Sequence, residues 1–181
     1  EIAPSPHISE SLRADIIEAA LRLARAVNYS NLGTFEFLVN TNPGIGENPF
    51  FFIETNARLQ VEHTVTEAVT GVDIVQAQIQ LAQGESIADI GLDGPSISAP
   101  RGFAIQTRIN METLMADGTV RPAGGVLRSY EAPNGPGVRT DGFGYAGYTT
   151  SPSFDSLLAK VITHSPNPKF AKVVQKSLRA L

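Results

Sequence analysis

The sequence predicts an α+β fold divided into two parts, residues 1–98 and residues 99–181. Three observations carry this. Residues 9–28 repeat apolar side chains at helical spacing. Two β-prone segments, "TFEFLV" and "PFFFIET", flank a turn-rich stretch. After the Gly-, Pro- and Ser-rich "GLDGPSISAPR" at 91–101 the texture changes to short strands and turns.

The elements follow in order. In "SESLRADIIEAALRLARAVN" the apolar positions Leu12, Ile16, Ala19, Ala20, Leu23 and Val27 form one stripe, and Ser9 or Ser11 can cap the first turn. Residues 34–39 read as a strand, 40–48 as a turn and 49–55 as its partner strand. If the loop closes symmetrically about Ile45, residues whose numbers sum to 90 face each other, and Glu36 lies opposite Glu54. Residues 66–83 read as a short helix, a break at Gly71, and a second helix capped by Asp73 and ended by Gly84. Short strands are expected within "FAIQTRINM", "GVLRSYEAP" and "GPGVRTDG", then a further short element in "FDSLLAKVITH". Residues 168–181 return to a helix with Pro168 in its first turn.

Bulk properties narrow the function. The 181 residues carry 42% hydrophobic and 18% charged side chains, as soluble globular chains do. A net charge of −4 argues against non-specific nucleic-acid binding but not against a small anion held by local arginines. Without cysteine there is no disulfide, thiolate nucleophile or cysteine zinc site. No apolar run reaches the roughly 20 residues of a membrane span, and "EIAPSPHISE" is not a signal peptide. The chain reads as a fragment of a longer protein at both ends.

The segment "FFIETNARLQVEHTV" at 51–65 carries the chemistry. If it stays extended, Glu54, Asn56, Arg58, Gln60 and Glu62 share one face about 27 Å long at ~3.3 Å per residue. A generic solvent-exposed face also fits this pattern. Against it, the segment follows apolar "FFFI", which suggests a buried location, and its amides alternate with charges. Facing acids at Glu36 and Glu54 are unfavourable unless a divalent cation lies between them. Mg²⁺ commonly shares one or two protein carboxylates with substrate phosphates, and Asn56 could add a carbonyl oxygen. Arg58 can bind a planar oxyanion, and Glu62 can act as a general base. His63 points to the opposite face, where a structural hydrogen-bonded role is the better reading.

The run "FIETNARLQVEHTVTEAVTGVDIVQAQIQLAQG" resembles the signature of biotin carboxylases, the ATP-grasp part of biotin-dependent carboxylases. "GTFEFLV", "AIQTRIN" and "FDSLLAKVI" agree, so the resemblance runs essentially end to end. It implies that residues 1–98 form the C-terminal part of an ATP-grasp domain. Residues 99–181 would then form a truncated biotin carboxylase C-terminal domain, an antiparallel sheet with helices. It implies an ATP-dependent ligase: ATP activates bicarbonate as carboxyphosphate, and the carboxyl group passes to the ureido nitrogen of biotin on a carrier protein.

Residue by residue, the resemblance implies that Glu36 and Glu54 bind Mg²⁺ or Mn²⁺ and the nucleotide, with Asn56 beside them. Leu38 would touch the adenine. Arg58, Gln60 and the backbone of Val61 would hold bicarbonate, Glu62 would deprotonate it, and Arg108 would stabilise a biotin enolate. Arg139 matches a position near the interface of dimeric members, and Asp155 reads best as a helix cap. The implied partners are a biotin carboxyl carrier protein or domain, a carboxyltransferase and a second copy in a homodimer, with no nucleic acid and no membrane. The implied location is the cytoplasm, or the mitochondrial matrix in a eukaryote.

There are departures. Phe103 stands where the family commonly has His, Gln106 where it has Glu, and the 40–48 loop is longer than in the simplest members. The family's N-terminal lobe, glycine-rich lid and bicarbonate-positioning lysine would lie before Glu1. The 181-residue chain alone is therefore expected not to turn over ATP. "DGFGYAGYTTSP" most resembles the acyl-CoA carboxylase branch (acetyl- or propionyl-CoA, serving fatty-acid synthesis) or a long multidomain carboxylase. The alternatives are a pyruvate or urea carboxylase module, a carbamoyl-phosphate synthase-type ligase, and a non-catalytic assembly scaffold.

Overall fold

The structure, a computed structural model, describes residues 1–42, 44, 48–94 and 99–181. In chain order the elements are β1 (Ile2–Ala3), α1 (Glu10–Ala26), β2 (Thr34–Val39), β3 (Phe50–Asn56), α2 (His63–Thr70), α3 (Ile74–Ala82) and β4 (Phe103–Asn110). They continue with β5 (Glu112–Leu114), β6 (Val120–Pro122), β7 (Gly125–Val126), β8 (Val138–Gly142), β9 (Thr149–Thr150), β10 (Leu157–Ser165) and α4 (Phe170–Ala180). Every strand pair is antiparallel. The chain forms two compact units: Ser5–His63 with Gly71–Ala99, and Glu1–Pro4 with Thr64–Thr70 and Pro100–Leu181. This packing division is not a single cut. Residues 95–98, at the sequence-based boundary of 98/99, lie outside the described residues.

In the first unit Ser9 is the cap of α1: its hydroxyl accepts from the Leu12 amide at 3.2 Å. Ala19, Leu23 and Ala26 of α1 line an apolar groove with Phe37, Phe50 and Phe52 of the hairpin. The β2–β3 register pairs Thr34 with Asn56, Phe35 with Thr55 and Glu36 with Glu54, so the acids do face each other. A bulge between Glu36 and Phe37 then shifts the loop side by one residue, pairing Phe37 with Phe52. The assumed loop centre, Ile45, lies outside the described residues. The expected burial of "FFFI" is not met in this chain. Phe51, Phe52 and Ile53 are 51%, 47% and 56% exposed, because this hairpin is a two-stranded ribbon. Helix α3 is capped by Asp73, which accepts from the Gln76 amide at 2.8 Å. It ends ahead of Gly84, whose φ of 96° few other residues tolerate.

The second unit is built on a four-stranded sheet in the order β1-β4-β10-β8. Helix α2 covers one face, where Val65 and Val69 pack on Ala104 and Ile162 with Ala3 and Ala68 around them. Helix α4 is amphipathic and buries Val173 completely, while Phe170 meets Phe103 edge-on at 5.4 Å. With helices against the sheet, β10 ("LLAKVITHS") is buried or half-buried along its whole length rather than at alternate residues. Helix α2 begins at His63, three residues before the expected start. The expected strand in "GVLRSYEAP" shortens to Gly125–Val126, matching the two residues of its partner β9. Pro168 precedes the N-cap Lys169 instead of lying in the first turn. Asp155 caps no helix; it accepts from the Leu157 amide at 2.8 Å at the start of β10. Among the described residues no helix is long and apolar enough to cross a membrane.

Candidate active site

Two facing carboxylates on a hairpin repel unless something positive lies between them. Here side-chain amides do. Asn56 Nδ2 donates to Glu36 Oε1 and to Glu54 Oε1, both at 2.9 Å, and Gln60 Nε2 donates to Glu36 Oε1 at 2.9 Å. Glu36, Glu54, Asn56 and Gln60 therefore form one cluster.

The cluster is not reached along an extended edge, which corrects the sequence reading. Strand β3 stops at Asn56 because its partner stops at Thr34. Before Thr34 the chain turns through Asn31, at φ 70°, so no backbone remains to pair residues 57 onward. Residues 57–62 leave the strand and turn into α2, and this turn folds Gln60 back onto Glu36. His63 Nδ1 lies 2.7 Å from the Gln60 carbonyl oxygen, the hydrogen-bonded histidine expected. Arg58 Nη1 donates to the adjacent Leu59 carbonyl, at 3.2 Å, and its side chain is exposed. Val61 and Glu62 occupy the turn directly before α2. Leu38 is 62% exposed on β2.

One atom is left over. Gln60 Oε1 is buried and, among the described residues, accepts no hydrogen bond. Such orphans are uncommon in folded proteins and call for an explanation. The amide cannot relieve it by turning over, since Oε1 would then face the Glu36 carboxylate.

Among the described residues no group of three or more His, Cys, Asp or Glu gathers to hold a metal. A cation at the hairpin would have Glu36 and Glu54, an amide oxygen and ligand-supplied oxygens. That donor set suits Mg²⁺ or Mn²⁺ bound together with phosphates, and not a stand-alone protein cage. As found, Asn56 presents its NH₂ to both acids. To become a ligand it must turn its Oδ1 inward.

The second unit holds Arg108, on the β4 face that α2 covers. Arg108 Nε donates to Glu1 Oε1 at 2.9 Å. Gln106, two residues back on the same face and 2% exposed, donates from Nε2 to Glu1 Oε2 at 3.1 Å and accepts from the Thr64 hydroxyl of α2. The Gln106 and Glu1 backbones are bonded in both directions at 2.9 Å. The amide at 106 thus serves as donor and acceptor at once, which a carboxylate could not. Phe103, the other departure, fills apolar space against Phe170.

Across the sheet Arg108 pairs with Lys160, which pairs with Asp141. Burial pushes the Lys160 ammonium below the ordinary lysine range, opposed by Asp141 at 3.7 Å. Arg139 does not stand alone. It clamps Asp141 through Nε and Nη2 at 2.7 and 2.8 Å and reaches Glu67 through Nη1 at 2.8 Å. The Asp141 bonds, chiefly, hold its guanidinium above the usual arginine range.

The sequence reading missed Glu1, Thr64, Asp141 and Lys160. Glu1 acquires its role only through the β1–β4 pairing, across more than a hundred residues, and nothing local signals it. Asp141 and Lys160 were detectable only as charges inside predicted strands.

Comparison with known proteins fits both units. Residues 1–90 match the family described as the carbamoyl-phosphate synthase L chain, ATP binding domain, and residues 106–181 match the biotin carboxylase C-terminal domain. The chain is 46% identical to a pyruvate carboxylase of Pichia angusta over its whole length, spanning 15% of that protein. It is 41% identical to a biotin carboxylase of Nostoc sp., again over its whole length, spanning 38% of that protein. A solved single-chain, multi-domain long-chain acyl-CoA carboxylase superposes with a TM-score of 0.89 at 44% identity, covering 99% of this chain and 19% of that one. The chain thus spans well under half the length of these relatives. With a paired-acid hairpin in one unit and a helix-covered antiparallel sheet in the other, the chain belongs to the biotin carboxylase family, of which it carries ATP-binding and C-terminal domain sequence.

Proposed function

We propose that this chain serves the ATP- and bicarbonate-dependent carboxylation of biotin on a carrier protein, through carboxyphosphate. The observation that carries the reading is the Glu36–Glu54–Asn56–Gln60 cluster with its orphaned acceptor. Glu36 and Glu54 would hold the divalent cation, which would supply charge neutralisation for phosphoryl transfer when bound. Leu38 offers apolar surface to the adenine. Arg58 binds the bicarbonate anion, beside Gln60 and the Val61 backbone. Glu62 takes the single bicarbonate proton as bicarbonate oxygen attacks the γ-phosphorus and ADP leaves. Arg108 stabilises negative charge on the biotin ureido oxygen while the ureido nitrogen is carboxylated. Residues 1–98 are assigned to the ATP-grasp part and 99–181 to the C-terminal domain.

The complete protein would work with a biotin carboxyl carrier and a carboxyltransferase, as a homodimer, in the cytoplasm or the mitochondrial matrix. Its final acceptor is an acyl-CoA or pyruvate. The likenesses to an acyl-CoA carboxylase at 44% identity and to a pyruvate carboxylase at 46% support the two alike. Assaying the complete protein with each acceptor separates them.

The test of the main reading is Mg–ATP titration by calorimetry, with bicarbonate-dependent ATP hydrolysis in the presence and absence of free biotin. The complete protein that carries this chain should bind Mg–ATP and hydrolyse it faster with biotin, and its Glu54→Gln variant should lose at least tenfold in affinity. An unchanged affinity in Glu54→Gln would remove the metal role, and a wild type indifferent to biotin would point to another ATP-grasp ligase.

A further inference from the structure

We propose that Glu1 is a positioning residue for Arg108, fixing the guanidinium through Nε so that its outer face is aimed before biotin arrives. The inference rests on the role given to Arg108 above. A long arginine side chain in water samples many rotamers, and ordering it costs free energy whenever a ligand must do so. Here the ordering is done in advance. Arg108 is 46% exposed at its side chain. Glu1 supplies a directional hold, with Oε1 accepting from Arg108 Nε at 2.9 Å.

Glu1 is itself fixed. Its other oxygen, Oε2, accepts from Gln106 Nε2 at 3.1 Å, and its backbone is bonded to that of Gln106 in both directions. Gln106 is buried and receives the Thr64 hydroxyl from α2. A line of side-chain bonds therefore runs from a buried threonine, through a buried amide and a carboxylate, to the arginine. Both carboxylate oxygens of Glu1 are engaged, so its rotamer is determined from two sides. A bond to Nε fixes the direction of the guanidinium plane from the stem side. The same carboxylate keeps a negative charge close to the guanidinium, which favours a strong, directional hydrogen bond.

The variants are Glu1→Ala, Glu1→Asp, Arg108→Ala and the double Glu1→Ala/Arg108→Ala, made in the complete protein that carries this chain. Two rates are read: bicarbonate-dependent ATP hydrolysis without biotin, and its acceleration by free biotin. Glu1→Ala should cut the biotin-dependent rate about tenfold, chiefly in kcat, while the biotin-independent rate stays within twofold. In the Arg108→Ala background the same change should have no further effect. Glu1→Asp should recover part of the loss. Equal losses in both rates, or a full tenfold further loss in the Arg108→Ala background, would overturn the proposal as a merely structural effect.

A crystal structure of the Glu1→Ala protein gives a readout independent of activity. The Arg108 guanidinium should be displaced or disordered. A guanidinium that keeps its place overturns the proposal even if the wild type shows no biotin-dependent rate. In that last case the functional reading fails on its own, because it is judged on the wild type alone.

Discussion

The buried bond between Thr64 and Gln106 gives the most discriminating stability experiment. Thr64 is 0% exposed and Gln106 2% exposed, so neither can turn to water when the other is removed. Thr64→Val keeps the shape of the side chain and deletes the donor, leaving Gln106 Oε1 stranded. A stranded buried acceptor costs about 1–3 kcal/mol. Gln106→Leu strands the Thr64 hydroxyl and also takes a donor from the Glu1 carboxylate, so its cost should be larger, about 2–4 kcal/mol. The double variant replaces both partners of the buried bond by apolar groups, and only the loss at Glu1 remains. The two single costs should then exceed the double cost by about 1–2 kcal/mol. Urea denaturation at fixed pH reads this directly: with a slope of about 1–3 kcal/mol per molar, Thr64→Val should move the midpoint down by roughly 1 M. Single costs that add to within about 0.5 kcal/mol would refute the reasoning, since uncoupled sites behave so.

Two further outcomes are expected. Lys160 has its folded pKa pushed down by burial. Its folded state therefore binds fewer protons than the unfolded chain between that lowered value and the unfolded value of about 10.4. Stability should rise with pH through this window, relative to Lys160→Met; a wild-type-minus-variant difference that stays flat between pH 7 and 10.5 would count against it. Gly102 has φ 66°, and a Cβ there would lie 1.9 Å from the Ser165 carbonyl oxygen. Gly102→Ala should cost roughly 3 kcal/mol or more. Gly84→Ala, also at positive φ (96°) but with nothing within 4 Å, should cost only about 1–2 kcal/mol in thermal or urea unfolding.

Where a signal was local, the sequence carried it. Ser9 before an amphipathic stripe, Asp73 before α3 and the two β-prone segments of the hairpin all needed only neighbours in the chain. The Glu36–Glu54 pairing followed from assuming a loop symmetric about Ile45; the register agrees at that pair and departs from it by one residue on the loop side. The one-residue bulge beyond Glu36 was not legible, since nothing in "TFEFLV" marks which residue will be unpaired. The straight polar edge from Glu54 to Glu62 failed for a related reason. Alternation describes a strand only where a second strand runs beside it, and the partner ended at Thr34. The second unit's site was the least legible. Its key contact joins the first residue of the chain to a strand after residue 102, and such a pairing is decided by the finished sheet.

The hairpin cluster explains how two like charges can face each other across one strand pair. Each acid needs positive partial charge, and Asn56 and Gln60 supply it through amide N–H groups spaced 20 and 24 residues from Glu36. The arrangement holds the carboxylates in place and satisfied, at the cost of one buried acceptor, Gln60 Oε1. A cation arriving between the acids would do the same electrostatic task with full charge. It would displace the Asn56 donor, whose amide can turn to offer oxygen, and would compete with Gln60 for Glu36 Oε1. Cation binding and the orientation of Gln60 are then linked through one carboxylate oxygen. Asn56 and Gln60 are thus tied together through Glu36 Oε1, which follows from the turn at 57–62 and not from the extended edge the sequence suggested.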